Sequence, residues 1–513
     1  MTSGGDWLHL EPDGRRRLRD VLFERGIEFP CGGSVGCGGC RIRVVRGQVA
    51  ITPRMREVLT DAELAEGWRL ACEADDRGRG PLTLEVQQWE PSILEDRDEL
   101  AFEPAEGLGA VVDLGTTTVV VQLVDRATGR VRGVESSLNP QAAFGADLMA
   151  RIEHDRSAPG ELTRLIRRQV GAMLGTLARG QRVEQTLLVG NTVMHHLFAG
   201  LDLSALAVAP YRTPHLEDQV LDASALGWNT QVDLGEPARV LPCLGGFVGS
   251  DVLAGIVATG LHEADEPGAL LDVGTNGEIA VGDRQHGIVV ASTAAGPAFE
   301  GGRIAMGLRA GTGAIDRVEP SDDEPTGLVC RVIGNVPPRG VCGSGLVDAA
   351  AVLLDLGRVL PSGRLAAGPR ATVQLAGSVH LIQKDLRELQ LAKAALAAGL
   401  AILLEGRTLP AHRVHLAGAF GHHVRAASAI RIGLLPPWAQ TPTASGNAAL
   451  RGARALLLAP SRRDAILHQV RSRCRHVELA ADRRFQEAFV EAMPFPDSVT
   501  LRNPEPCNAP SPP

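Results

Sequence analysis

Four cysteines carry the first chemistry legible in this chain. Cys31, Cys37 and Cys40 share one loop with Gly32, Gly33, Gly36, Gly38 and Gly39, and Cys72 follows in Arg69-Leu70-Ala71-Cys72. Four thiolates, two per iron, suit a [2Fe–2S] cluster if the backbone wraps it closely. The glycines permit that wrap and let peptide N–H groups approach the sulfides. Each such hydrogen bond stabilises the reduced, more negative cluster and raises its potential. Zinc competes for Cys37-x2-Cys40. A zinc knuckle needs no five-glycine loop, however, and its second cysteine pair is ordinarily close-spaced, whereas Cys72 stands apart.

A second chemistry is written twice. Ala110-Val-Val-Asp113-Leu-Gly115-Thr116-Thr117-Thr118 reads as a buried strand, a tight turn and the start of a second strand. Leu270-Leu-Asp272-Val-Gly274-Thr275-Asn276-Gly277-Glu278 is built the same way. Gly and Thr at a hairpin tip offer N–H and hydroxyl donors to phosphate oxygens, while the Asp reaches Mg²⁺ or its waters. One copy is weak, because Asp-Gly turns are common in hairpins. Two copies, one per lobe, make an accidental match improbable. Asp113 and Asp272 are the expected catalytic or Mg²⁺-binding acids.

Other elements must position these groups. Residues 16–25 read as a short amphipathic helix with Leu18, Val21, Leu22 and Phe23 available to a core. Residues 40–47 and 82–86 alternate like strands. Residues 89–108 are acidic, carry prolines and read as a linker after a first domain at 1–88. The two lobes are expected at 109–262 and 263–495, with a proline-rich disordered tail at 496–513. At 513 residues there is ample length for buried cores. A net charge of −8 with no long basic run argues against nucleic acid as the main partner. The start of the chain has no apolar signal segment, and the longest apolar run, 394–404, is too short to span a bilayer. Cys243, Cys330, Cys342, Cys474 and Cys507 are scattered, as reduced thiols are, so a cytoplasmic location away from membranes is expected. His195-His196 is expected in structural or hydrogen-bonding rather than metal-binding roles. Arg387 and Lys393 are expected on the polar face of a helix over 385–404.

The first domain resembles the β-grasp [2Fe–2S] ferredoxins, and the five-residue first gap is closer to the vertebrate, hydroxylase-linked branch. Only Leu8-His-Leu-Glu-Pro12 precedes the helix, so the sheet is expected to be one strand short at an edge. The doubled Asp-x-Gly-Thr motif resembles the phosphate loops of the acetate and sugar kinase, Hsp70 and actin (ASKHA) superfamily. Residues 412–421 resemble its adenosine loop, with Gly418 and Gly421 separated by Ala419-Phe420 instead of paired. Cys342-Gly343-Ser344-Gly345 opens a helix like a connecting element of that fold. The expected fold is therefore α+β and α/β: a ferredoxin domain followed by a two-lobed ATPase-like domain.

The combination resembles the reductive activators of corrinoid proteins. Asn139-Pro-Gln141, Gly145-Ala-Asp147, Gly190-Asn191-Thr192-Val-Met-His195-His196, Ala295-Gly296-Pro297-Ala-Phe299-Glu300-Gly301 and Asp385-x-Arg387-Glu388-x-Gln390-Leu-Ala-Lys393 carry that resemblance. Longer members of that family have an extra middle domain, in whose place only residues 89–108 are expected here. The resemblance implies ATP-driven one-electron reduction of inactive Co(II) corrinoid protein to Co(I), which reactivates a methyltransferase system. It implies a reduced ferredoxin or flavoprotein as donor, and a homodimer is among the expected states. Mg²⁺ would be held by Asp113 and Asp272, and phosphates by Gly115, Thr116, Thr117 and Thr118 and by Gly274, Thr275, Asn276 and Gly277. Gly418 and Gly421 would border the adenosine. Three other readings stay open: a small-molecule kinase with a redox-sensing ferredoxin domain and Asp251 as base, a chaperone-like scaffold without turnover, and an activator of radical dehydratases.

Overall fold

A computed structural model describes residues 6–10, 18–24, 40–74, 80–86, 102–145 and 147–497. Cys31, Cys37, the glycines between them, Cys507, most of the expected linker and residues 498–513 lie outside the described residues.

In the first domain four strands form one antiparallel sheet among the described residues. Asp6–Leu10 is the edge, followed by Leu82–Val86, Arg41–Arg46 and Trp68–Leu70. Alternation decides the faces. Ile42, Leu82 and Leu84 point inward, and Arg43 and Thr83 point outward. Helix Leu18–Glu24 lays Leu18 and Leu22 on that inner face, both fully buried, and each contributes about 2 kcal/mol. Two short helices close the core. Thr52 caps Pro53–Val58, and a Thr60/Glu63 capping box opens Asp61–Ala65.

The two following lobes repeat one topology. In the first, Val131–Leu138, Thr118–Asp125 and Leu108–Leu114 form an antiparallel meander, continued in parallel by Val183–Gly190 and Ala238–Val240. In the second, Gly287–Thr293, Gly277–Asp283 and Gly268–Val273 form the meander, continued in parallel by Val414–Ala417 and Thr443–Gly446. The registers differ by one residue, Asp113 facing Val120 and Asp272 facing Glu278, but each acid sits just before its hairpin turn. Each hairpin tip therefore falls at the same end of its sheet.

Helix Glu161–Ala178 covers one face of the first sheet with Ile166, Val170 and Leu174. Helices Ser250–Thr259 and Ala448–Leu457 fill the space between the sheets, in a core shared by Val111, Leu187 and Val189 of one lobe and Leu270, Ala280 and Val290 of the other. They approach so closely that a Cβ on Gly452 would stand 1.8 Å from the carbonyl oxygen of Ala254. Only glycine allows that contact. Leu457, late in the chain, thereby lies in the same core as the first strand after the linker.

Lys393 departs from the expected polar-face position. On helix Gln383–Leu404 it is 1% exposed, donates to Pro494 O at 2.6 Å and lies over the Phe495 ring. Burial pulls its ammonium down to about 7. The chain end folds back over this helix, with Phe495 packed in the core, so the helix has no solvated side there. Arg387 is more exposed, donating to Ser362 O and Gln390 Oε1.

Candidate nucleotide cleft and cluster site

Cys40 immediately precedes the strand Arg41–Arg46, and Cys72 sits in the turn Ala71–Glu73 that follows Trp68–Leu70. Because Arg41 pairs with Leu70, the strand pairing itself brings the two cysteines together. Ala71 N–H donates to Cys40 O at 2.8 Å, and the two buried sulfurs are 3.2 Å apart. Two thiols held this closely fit joint service to one iron, with Cys31 and Cys37 outside the described residues.

Between the lobes lies a cleft of about 300 Å³. It is lined by Asp113, Gly115, Thr116, Thr117 and Thr118 from the first hairpin, and by Asp272, Gly274, Thr275 and Asn276 from the second. Asp251 and Gly418 also line it. Gly277 and Gly421 are not among its lining residues. A Cβ on Gly277 would meet Leu396, and one on Gly421 would meet the backbone of Leu416, so both face packed protein. Gly418 has φ +82° and opens helix Gly418–His423 beside Asp272, where a Cβ would come within 2.9 Å of Asp272 Oδ1. The position requires glycine twice over, by conformation and by space.

The first turn is braced from behind. Asn139 Nδ2 donates to Gly115 O at 2.8 Å, Asn139 N–H donates to Thr117 O at 2.9 Å, and Arg151 Nη2 donates to Thr116 O. Thr116 Oγ1 in turn accepts from Asn191 Nδ2 at 3.0 Å. All three carbonyls of the turn are thus held by Asn139 and Arg151. Arg151 is fully buried and also donates to Gly145 O and Gln141 Oε1; burial pulls it down to about 9. The Asn-Pro-Gln and Gly-Asn-Thr stretches therefore act as supports for the first turn. His195 and His196, on helix Thr192–Ala199, are buried, and His196 bonds Thr192 O and Thr213 Oγ1. Burial holds both well below the usual imidazole range, at about 4.

Four acids converge at one end of the cleft. Burial raises Asp113 to about 6, partly offset by a 2.8 Å hydrogen bond from Asn447 Nδ2. Burial, then repulsion from Asp113, raises Asp272 to about 7. Asp251 is pushed to about 8 by burial and by Asp272 and Asp113, against a hydrogen bond from Val252 N–H. Glu278 is raised well above the usual carboxylate range by burial and by Asp251 and Asp272. A divalent cation entering with a nucleotide would relieve this repulsion, but among the described residues no three His, Cys, Asp or Glu side chains form a ready-made metal site. The N-terminus of helix Gly343–Asp355 contributes Gly343 and Ser344 to the lining, a favourable end for phosphate. Phe299 and Phe420, with ring centroids 4.6 Å apart, line it as well.

Glu278, Glu300, Asn447 and Asn191 had no role assigned from sequence. Glu278 directly follows the second turn, where cross-strand pairing with Asp272 was the available signal. Glu300 lies within a stretch noted for its resemblance, but nothing local tied it to the turns. Asn447 is 334 residues from its partner Asp113, and no local pattern marks it.

Comparison with known proteins gives this geometry a family. A model described as the C-terminal domain of RACo, the ASKHA domain, matches residues 266–504. The RACo middle region matches 108–264, and the 2Fe-2S iron-sulfur cluster binding domain matches 2–75. The corrinoid activation enzyme RamQ of Eubacterium limosum is 34% identical over 77% of this chain and 71% of its own length. The chain belongs to the corrinoid activator family. A second family relative, the [Co(II) methylated amine-specific corrinoid protein] reductase of Methanosarcina barkeri, is 27% identical over 74% of this chain and 76% of its own. The solved reductive activator for corrinoid, iron-sulfur protein matches with TM-score 0.69 and 26% identity, covering 94% of this chain and 96% of that one. One expectation is corrected. What the family models call the middle region is present here as the first lobe at 108–264, and residues 89–108 do not stand in its place.

Proposed function

We propose that this protein uses ATP to drive one-electron reduction of an inactive Co(II) corrinoid protein to Co(I), reactivating a corrinoid-dependent methyltransferase system. The observation that carries this reading is the pairing of a thiolate site with a doubled-turn cleft in one chain that is 34% identical to a named corrinoid activation enzyme. A [2Fe–2S] cluster held by Cys31, Cys37, Cys40 and Cys72 supplies the one-electron chemistry. Asp113 and Asp272 hold Mg²⁺ or orient the attacking water, with Asp251 and Glu278 completing the acidic end. The turns at 115–118 and 274–276 hold the phosphates, and Gly418 borders the adenosine. Asn139, Arg151 and Asn191 keep the first turn in shape.

The Co(II)/Co(I) couple lies below ordinary cellular reductants, so the electron moves uphill unless the corrinoid protein is held in a more easily reduced state. ATP biases docking and release only through its different affinity for the activator's states. The lobes share one core and one cleft, so a ligand bridging both turns acts on their relative closure. The proposed donor is a reduced ferredoxin or flavoprotein, the proposed assembly a homodimer and the proposed compartment the cytoplasm. Among the described residues no helix is long and apolar enough to cross a membrane.

ATP turnover by the full-length protein is the test. Adding Co(II)-loaded corrinoid protein is expected to change the rate, and Asp113→Asn or Asp272→Asn to abolish the response. A rate indifferent to corrinoid protein but stimulated by a small alcohol or carboxylate would replace this reading with a kinase.

A further inference from the structure

Thr117 and Thr275 belong to different lobes, yet their hydroxyl oxygens are 3.3 Å apart. Both donate to one side chain. Thr117 Oγ1 reaches Glu300 Oε2 at 3.0 Å, and Thr275 Oγ1 reaches Glu300 Oε1 at 2.8 Å. Glu300 ends the short turn Pro297–Glu300, and Gly301 follows at φ +77°, its N–H donating back to Ala298 O. The carboxylate is therefore presented from a fixed turn. Arg309 Nη2 stands 4.0 Å from Oε2.

A carboxylate that accepts one hydroxyl from each phosphate turn does what the terminal phosphate of a nucleotide would do there. Both are anionic, and both offer several oxygens to the same donors. We propose that Glu300 determines nucleotide specificity by occupying the terminal-phosphate position until a nucleoside triphosphate displaces it. This rests on reading the cleft as a nucleotide site. A diphosphate lacks the group that competes, so it binds with the Thr117–Glu300–Thr275 bridge intact. A triphosphate takes both hydroxyls and turns the carboxylate out toward Arg309. The interlobe tie then runs through the ligand instead of through the protein. The cleft thereby distinguishes ATP from ADP at the point where the lobes meet.

The test is calorimetric titration of full-length wild type, Glu300→Gln and Glu300→Ala with MgATP and with MgADP. Removing the competing charge is expected to tighten ATP on the order of ten-fold and leave ADP within about two-fold. The Gln variant keeps the side-chain volume, so it reads the charge even if the Ala variant fails to fold. Equal shifts for ATP and ADP, or weaker ATP binding by Glu300→Gln, would overturn the proposal. If wild type binds both nucleotides and the ratio does not move, this inference alone is wrong. If wild type binds neither, the nucleotide reading falls and takes the inference with it.

Discussion

Replacing Asp272 by Asn should stabilise the metal-free protein at neutral pH while destroying its response to Mg²⁺. Burial and Asp113 raise the Asp272 carboxyl from 3.8 to about 7. Ionising it in the folded state therefore costs about 4 kcal/mol at most. The sign follows from linkage. Below pH 3.8 the carboxyl is protonated in both folded and unfolded chains, and no penalty exists. Between 3.8 and about 7 the folded state binds the proton more tightly, so stability falls as pH rises. Above about 7 the full penalty applies. Asn carries none of it and also relieves Asp251 and Glu278, both of which are raised by Asp272. Scanning calorimetry at pH 5, 6, 7 and 8 in chelator should show the variant's advantage growing with pH, in the transition that Mg²⁺ shifts in wild type. Added Mg²⁺ should reverse the order by stabilising wild type alone. A variant less stable than wild type at pH 8 without metal, or an advantage independent of pH, would refute the electrostatic reasoning.

Arg151→Met removes a buried guanidinium that braces the Thr116 carbonyl. It should destabilise the first lobe by about 3 kcal/mol or more and weaken ATP binding, read by urea melts and titration. Cys72→Ser should lose the visible absorbance of the reconstituted iron–sulfur site, because Cys40 and Cys72 are in contact. Lys393→Met should be stabilising at pH 7. The buried ammonium titrates at about 7 in the folded state against 10.5 unfolded, so wild-type stability rises with pH across that interval. The Met advantage should shrink toward pH 10.5, which a pH series of thermal melts would detect.

The fold was legible where chemistry and pattern coincide locally. The two Asp-x-Gly-Thr hairpins announce themselves because strand, turn and strand are contiguous, and the repeat of the motif implies the repeat of the lobe. The alternation of 40–47 and 82–86 is legible for the same reason, and the structure buries Ile42 and Leu84 on its inner face. What lay beyond reach depends on contacts distant in the chain. Asn447 meets Asp113 only because the second lobe's helix Ala448–Leu457 packs on the first lobe's sheet. Glu300 meets Thr117 only when the lobes face each other. Lys393 reads as a surface residue on its own helix and is buried by residues 493–496, which arrive a hundred residues later. Gly421 falls in the stretch 412–421 that resembles an adenosine loop, but the turn of helix after Gly418 sets it against Leu416.

The central claim is that ATP bound in the cleft assists delivery of one electron to cobalt. The direct measurement is anaerobic. Full-length protein reduced with dithionite is mixed with Co(II)-loaded corrinoid protein, with and without MgATP, and Co(I) absorbance is followed. Co(I) formation accelerated by ATP, and lost in Cys37→Ala and in Asp113→Asn, is the expected result. Co(I) forming at the same rate without nucleotide, or in Cys37→Ala, would contradict the account.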